Sequence, residues 1–107
     1  MANWSVEMLE TVEAEISRWP DELRASLGRI FDRIEALGLS RVNEPLVKHL
    51  EGKIWEMRPS GKNIEGRALY VAAAGKRVVV VVAFLKKTQK TPRRLIELAL
   101  ERAEQVA

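Results

Sequence analysis

The feature that most constrains the fold is an unbroken apolar run, Val78-Val79-Val80-Val81-Val82, which continues through Ala83, Phe84 and Leu85. A strand with one face in water alternates apolar and polar residues, and this run does not. It therefore predicts a central β-strand that is covered on both faces. The run is also far shorter than the roughly twenty residues that cross a bilayer, so no membrane segment is expected.

Apolar residues at helical spacing predict two helices before this strand and one after it. A short opening strand is predicted from the alternating residues Trp4, Val6 and Met8. The first helix carries Leu9, Val12, Ile16 and Trp19. The second begins near Pro20, ends at Gly38 and carries Leu23, Leu27, Ile30, Phe31, Ile34 and Leu37. The last begins at Thr91-Pro92 and carries Leu95, Ile96, Ala99, Ala103 and Val106.

Between the second and last helices the pattern becomes extended. It predicts strands near residues 47–50, 53–58, 66–73 and 77–84, with turns at Gly52, Gly61 and Ala74-Gly75-Lys76. The expected fold is a single α+β domain over residues 1–107: a short N-terminal strand, two helices, a mostly antiparallel sheet and a C-terminal helix. We expect the helices to pack on one face of the sheet.

The net charge of +3 is the sum of a negative first half and a positive second half of the chain. Residues 1–45 contain five Lys or Arg against nine Asp or Glu, whereas residues 46–107 contain thirteen against six. The densest cationic segment, residues 86–94, reads KKTQKTPRR and contains no acid. Such a segment favours a polyanionic partner, so the second half is the predicted nucleic-acid-binding part.

Arg93 and Arg94 indicate a phosphate site by a separate argument. Cations in the first turn of a helix oppose its dipole at a cost of roughly a few tenths of a kcal/mol each. A bound phosphate would reverse the sign of this effect and could accept hydrogen bonds from the free amides of the helix. The alternative is that both are solvated surface arginines.

Several classes of site are excluded by what the sequence lacks. There is no cysteine and one histidine, and the carboxylates are concentrated in the first half, so no metal centre is expected. Neither a Walker-type loop nor a dinucleotide fingerprint occurs, so no cofactor is expected. The first residues do not resemble a signal peptide, and we expect a cytoplasmic protein.

The remaining side chains suit metal-free cleavage of RNA. RNA supplies its own nucleophile, the 2′-hydroxyl, so the protein needs only to move protons and to stabilise charge on the phosphorane. The basic half offers cations, a few carboxylates, the phenol of Tyr70 and the imidazole of His49, a group that exchanges protons near neutral pH. DNA lacks the 2′-hydroxyl and cannot react in this way.

Three segments resemble a known family. Residues 83–92, AFLKKTQKTP, are similar to the hallmark of phage-derived, HigB-like toxins of the RelE/ParE toxin-antitoxin superfamily, and residues 47–58 and 67–70 resemble the same family. The resemblance implies a microbial-ribonuclease-like fold and metal-independent cleavage of messenger RNA on the ribosome, which inhibits translation. It also implies neutralisation by a cognate antitoxin, which we expect to be of the helix-turn-helix type.

The resemblance further implies which residues form the site. Arg67 and Arg58 would hold the scissile phosphate, with Arg67 and Lys87 as the first choices for catalysis. Glu56 would act as a base or pair with an arginine, and His49 is the candidate for proton transfer. The other predicted RNA contacts are Lys48, Lys86, Gln89, Lys90, Arg93, Arg94 and Tyr70. Similar toxins often carry histidine where this chain has Val82, so an imidazole at the end of the last strand is missing here.

Other interpretations remain open. Arg58 and Arg67 could simply pair with Glu56 and Glu65 across the sheet, and His49 could be an ordinary edge-strand residue. A ParE-like protein shares the superfamily fold but inhibits DNA gyrase without enzymatic activity. A plain nucleic-acid-binding module would bind in a salt-dependent way and cut nothing.

Overall fold

The structure, a computed structural model, describes residues 3–106. Its helices are α1 (Glu10–Ser17), α2 (Asp21–Leu37) and α3 (Arg93–Ala103), and a 3-10 turn spans Leu39–Arg41. Its strands are β1 (Ser5–Met8), β2 (Val47–Glu51), β3 (Ile54–Met57), β4 (Ser60–Gly61), β5 (Ile64–Ala73) and β6 (Arg77–Leu85). The α+β element order matches the sequence-based prediction, with β4 as an additional short strand.

The valine-rich strand β6 occupies an inner position in the sheet, as its composition predicts. The strand order is β1-β6-β5-β3-β2, and β4 pairs with β5 outside this path. β1 runs parallel to β6, whereas the other pairs are antiparallel. At the β1 edge, the amide of Val6 donates a hydrogen bond of 3.2 Å to Glu35 of α2.

The helices cover both faces of the sheet, so the expectation of helices on one face was wrong. Val78 and Val80 pack in the layer that contains α1 and α2, whereas Val79 and Val81 pack in a second layer with α3. The physical reason lies in the valine run itself, because a strand without a polar face needs apolar cover on both sides.

A β-bulge in β6 helps to hold α3 against the sheet. Leu69 pairs with Val82 and Tyr70 with Val80, so Val81 has no partner residue in β5. The carbonyl of Val81 accepts a hydrogen bond of 2.7 Å from the guanidinium of Arg102 in α3. This polar contact adds to the burial of two alanines of α3 and fixes the helix along the strand.

The turns follow the predictions at two of three positions. Gly52 and Gly75 have φ angles of 55° and 79°, in the left-handed region that favours glycine. Gly61 was predicted to form a turn but lies in β4, where a Cβ would come within 2.8 Å of the Glu22 side chain in α2. The turn itself follows at Asn63, whose φ is 59°.

None of the helices within residues 3–106 combines the length and the apolar character that a bilayer crossing needs.

Candidate functional site

A cleft of about 500 Å³ opens between the C-terminal end of α1, the segment after β6 and the start of α3. The part of the sheet nearest to α3 forms its floor. Seven of the predicted site residues line this cleft: Glu56, Arg67, Lys86, Lys87, Gln89, Lys90 and Arg94.

Strand register explains why residues distant in sequence meet here. Glu56 on β3 lies opposite Leu69 on β5, and Arg67 is two positions further along β5. Side chains two residues apart on a strand project from the same face, so Glu56 and Arg67 share the face that α3 covers. Arg67 lies opposite Phe84 on β6, two residues before the basic segment 86–94 begins.

Glu56 and Arg67 are the buried charged residues of the described chain, at 3% and 4% exposure. Glu56 Oε1 lies 3.8 Å from Arg67 Nε, and Glu56 Oε2 lies 3.5 Å from Arg58 Nε. The hydroxyl of Thr91 donates a hydrogen bond of 3.1 Å to Glu56 Oε1. A carboxylate removed from water requires such partners, so the geometry favours Glu56 as an ion-pair partner over Glu56 as a base.

Arg67 is held by two further oxygens. Its Nη1 donates to the carbonyl of Gly66 at 2.7 Å, and its Nη2 donates to Glu65 Oε1 at 3.2 Å. The same Glu65 oxygen lies 3.6 Å from Lys86 Nζ. The hydrogen bond from Arg67, assisted by the charges of Lys86 and Arg67, lowers the pKa of Glu65, although burial acts in the opposite direction. Each terminal nitrogen of Arg67 carries a second N–H group besides the one in these hydrogen bonds.

The rim of the cleft carries exposed cations. Lys87, Lys90 and Arg94 are exposed, and Gln89 lies exposed between the two lysines. The hydroxyl of Thr88 donates a hydrogen bond of 2.7 Å to the carbonyl of Lys90, which shapes this segment locally. The cleft therefore combines a buried guanidinium on its floor with exposed cations at its rim, an arrangement suited to a polyanion.

Arg93 does not join its neighbour Arg94 in the cleft. Its guanidinium hydrogen-bonds both carboxylate oxygens of Glu51, at the end of β2, and its Nε lies 3.4 Å from Glu97. These contacts raise the pKa of Arg93, and the hydrogen bond from Arg93 lowers the pKa of Glu51. The predicted phosphate contact of Arg93 is therefore not supported, because the side chain links α3 to β2.

Lys48, His49 and Tyr70 lie outside the cleft, around a separate depression of about 750 Å³ that Trp4 and Trp55 also line. His49 Nε2 donates to the carbonyl of Gly52 at 2.6 Å, and its ring centre lies 5.0 Å from that of Trp55. Tyr70 is buried in the layer under α1 and α2, and this burial raises the pKa of its hydroxyl.

The structure therefore does not bring these three predicted residues to the site. His49 pairs with Trp55, and Trp55 pairs with Tyr70, so His49, Trp55 and Tyr70 share one face of the sheet. Lys48 pairs with Glu56, but it lies on the edge strand β2 and does not line the cleft. Glu56 and Arg67 project from the other face because of the alternation along each strand.

Several cleft residues were missed by the sequence-based prediction. Glu15, Arg18 and Trp19 line the cleft from α1 and its C-terminal end, within the half of the chain that has an acidic balance. Gly66 offered an indirect signal, since a glycine inside a strand often marks the close approach of another group. A Cβ at Gly66 would lie 2.8 Å from Trp19 Cη2.

The contact that Thr91 makes in the structure differs from the role that its sequence position predicts. The sequence predicts it at the start of α3, but Pro92 occupies the N-cap position and no side chain caps this helix. The hydroxyl of Thr91 bonds Glu56 instead. Within residues 3–106, no cluster of three His, Asp or Glu side chains is placed to hold a metal ion.

Comparison with known sequences decides the family. Residues 14–104 match the profile of the phage-derived Gp49-like proteins (DUF891). The chain belongs to the Gp49-like family. The resemblance to phage-derived, HigB-like toxins predicted from residues 83–92 is thereby confirmed.

Two relatives of this Gp49-like chain carry the name probable endoribonuclease HigB1, from two strains of Mycobacterium tuberculosis, CDC 1551 / Oshkosh and ATCC 25618 / H37Rv. Each is 33% identical over 98 residues, which cover 92% of this chain and 75% of the relative. Among solved structures, the fold is similar to that of a chain in the toxin-antitoxin complex RelBE2 from Mycobacterium tuberculosis. The TM-score is 0.53 at 17% identity, over 80% of this chain and 94% of that chain, and this likeness establishes the fold.

Proposed function

We propose that this Gp49-like protein is the toxin of a toxin-antitoxin pair and that it cuts messenger RNA on the ribosome, which inhibits translation. The observation that carries the proposal is the convergence of Arg67, Lys86, Lys87, Lys90 and Arg94 on one cleft. The relatives named probable endoribonuclease HigB1 support the same activity.

The proposed chemistry is attack by the 2′-hydroxyl of RNA on the adjacent phosphate. A bond forms between the 2′-oxygen and phosphorus, and the bond from phosphorus to the 5′-oxygen of the next nucleotide breaks. The products are a 2′,3′-cyclic phosphate, which can open to a 3′-phosphate, and a 5′-hydroxyl. One proton leaves the 2′-hydroxyl and another reaches the 5′-oxygen, so no metal is required to generate the nucleophile.

We assign roles from the positions of the side chains. The free N–H groups of Arg67 would stabilise charge on the phosphorane, since a guanidinium fits phosphate oxygens in a fork geometry. The ammonium of Lys87 would supply the proton to the leaving 5′-oxygen. Lys86, Lys90 and Arg94 would hold neighbouring phosphates.

Glu15 is our proposal for the base that accepts the 2′-hydroxyl proton. Of the two carboxylates that line the cleft, Glu56 is buried and engaged with two guanidinium groups and a hydroxyl. Glu15 is exposed at the α1 wall and can approach a substrate from solvent.

The partners follow from the same proposal. A cognate antitoxin, which we propose to be of the helix-turn-helix type, would neutralise the protein by covering the basic cleft or by displacing residues in it. The structural relative comes from a complex of toxin and antitoxin, which supports an antitoxin as partner. The proposed place of action is the cytoplasm, where messenger RNA and ribosomes meet the toxin, and residues 1–107 would act as one domain.

The chemistry can be tested with messages that are cut on ribosomes and whose product ends are identified. The proposal predicts 2′,3′-cyclic or 3′-phosphate ends, and a single 2′-O-methyl group at the cut position should abolish cleavage there. Products with 3′-hydroxyl and 5′-phosphate ends would instead indicate hydrolysis by an activated water. Intact messages together with inhibited gyrase supercoiling would replace the proposal with the ParE-like alternative.

A further inference from the structure

Thr91 makes a long-range contact that its local sequence does not predict. A threonine at the start of a helix often accepts a hydrogen bond from a free backbone amide of the first turn, yet α3 has no side-chain cap. The helix also begins with two arginines, which its dipole disfavours. The hydroxyl of Thr91 reaches Glu56 on β3 instead, at 3.1 Å. Disagreement between local preference and structure is most common at functional sites.

The oxygen that Thr91 contacts is the one that faces Arg67. Glu56 Oε1 accepts the Thr91 hydrogen bond and lies 3.8 Å from Arg67 Nε, whereas Glu56 Oε2 faces Arg58. The carboxylate is thus held on both sides, and Glu56 and Arg67 are both almost completely buried. Within the cleft, a single carboxylate oxygen connects the start of α3 to the guanidinium on the floor.

We propose that Thr91 is a positioning residue of this site: its hydroxyl orients the Glu56 carboxylate, which in turn orients the guanidinium of Arg67. This inference rests on the proposed function, in which Arg67 stabilises the phosphorane. Without the hydroxyl, the carboxylate can rotate, and Arg67 Nε, which lies 3.8 Å from Glu56 Oε1, loses a fixed charge partner. A small displacement of a group that acts in the transition state lowers the rate strongly without a comparable loss of substrate affinity.

The matched variants are Thr91→Val, which keeps the shape and removes the hydroxyl, and Thr91→Ser, which keeps the hydroxyl. Thr11→Val serves as the control, because Thr11 is an exposed residue of α1 that does not line the cleft. For cleavage of ribosome-bound messages, Thr91→Val should lower kcat by about tenfold and leave KM within about threefold. Thr91→Ser should restore most of kcat. Equal rates for the Val and Ser variants, or a change in KM alone, would overturn the inference.

A spectroscopic measurement on the free protein separates this inference from the proposed function. The NMR signal of the Arg67 Nε–H group should shift or broaden in Thr91→Val and return to its wild-type position in Thr91→Ser. An unchanged Arg67 signal in folded Thr91→Val protein would show that Thr91 does not position this arginine. If the wild-type protein cuts no message, the proposed function fails, while the Arg67 signal still decides the positioning role.

Discussion

Gly66 on β5 lies against the indole ring of Trp19, so closely that a Cβ at Gly66 would be 2.8 Å from Cη2 and 3.0 Å from Cζ3. Trp19 is buried between α1 and α2, and Gly66 directly precedes Arg67 and provides the carbonyl that accepts its hydrogen bond. This contact therefore joins the helical wall of the cleft to its floor. A side chain at position 66 would push the two apart.

Gly66→Ala should lower the free energy of unfolding by about 1–3 kcal/mol, because the added methyl group overlaps a buried ring that has little room to move. Chemical denaturation measures the change. Gly28→Ala is the matched control, since a Cβ there would have no atom within 4 Å apart from its chain neighbours and the backbone of its own helix. Alanine in the interior of α2 should raise the same free energy by roughly 0.5–1 kcal/mol. Equal stabilities for Gly66→Ala and the wild type would contradict the close contact between Gly66 and Trp19.

The pKa of Glu65 should lie below 4.5 in the folded protein, chiefly because Arg67 donates a hydrogen bond to it. A carboxylate with a lowered folded-state pKa stabilises the protein above its ordinary pKa, and this contribution is lost as the pH falls through the lowered value. An NMR titration of the Glu65 carboxyl carbon measures the shift. Arg67→Gln should raise the pKa toward 4.5, whereas Arg58→Gln should leave it unchanged because Arg58 contacts Glu56. An unaltered Glu65 titration in Arg67→Gln would disprove the contact.

His49→Ala should keep its cleavage rate within about twofold of the wild type, because general acid-base catalysis requires the group to reach the reacting atoms. The ring lies beside Trp55 and bonds Gly52 outside the cleft. The rate of cutting on ribosomes is the measurement, with circular dichroism as a check of folding. A loss of two orders of magnitude in a folded variant would restore His49 as a catalytic group.

Glu15→Gln should lower kcat by about a hundredfold if Glu15 accepts the 2′-hydroxyl proton. Glu13→Gln on the same helix is the control, because it removes the same charge and Glu13 does not line the cleft. Single-turnover cleavage of ribosome-bound messages measures both variants. Equal rates for the two would assign the base to another group.

Residues in the strands show how much of the site the sequence could predict. The uninterrupted valines of β6 located the centre of the sheet, and the cations from Lys86 to Arg94 located one rim of the cleft. Alternation along a strand also predicts that Trp55 and Glu56 project from opposite faces of the sheet, as do Tyr70 and Arg67. That rule places His49 and Tyr70 on the face opposite Arg67. The sequence-based prediction selected both residues by chemical type and did not apply the rule.

The other parts of the site depend on tertiary packing. Nothing in the local sequence of α1 indicates that Glu15 and Arg18 lie near the start of β5, because the approach is set by Trp19 and Gly66 together. Arg93 and Arg94 are adjacent arginines at the start of the same helix. Arg93 hydrogen-bonds Glu51 at the end of β2, whereas Arg94 lines the cleft. These contacts join residues that lie far apart in the chain, so the local sequence does not predict them.

The central claim is that the cleft around Arg67 and Lys87 cuts translated messages. The most direct test adds the purified protein to a reconstituted translation reaction with a defined message and maps the new ends by primer extension. A parallel reaction contains the same message without ribosomes. The variants are the Arg67→Ala, Lys87→Ala pair and, as a charge-matched control, the Arg29→Ala, Lys53→Ala pair at exposed positions outside the cleft.

We predict cuts in phase with codons that require ribosomes, persist in the control pair and disappear in the cleft pair. An intact message at high protein concentration, or equal cutting by the cleft pair and the wild type, would contradict the account.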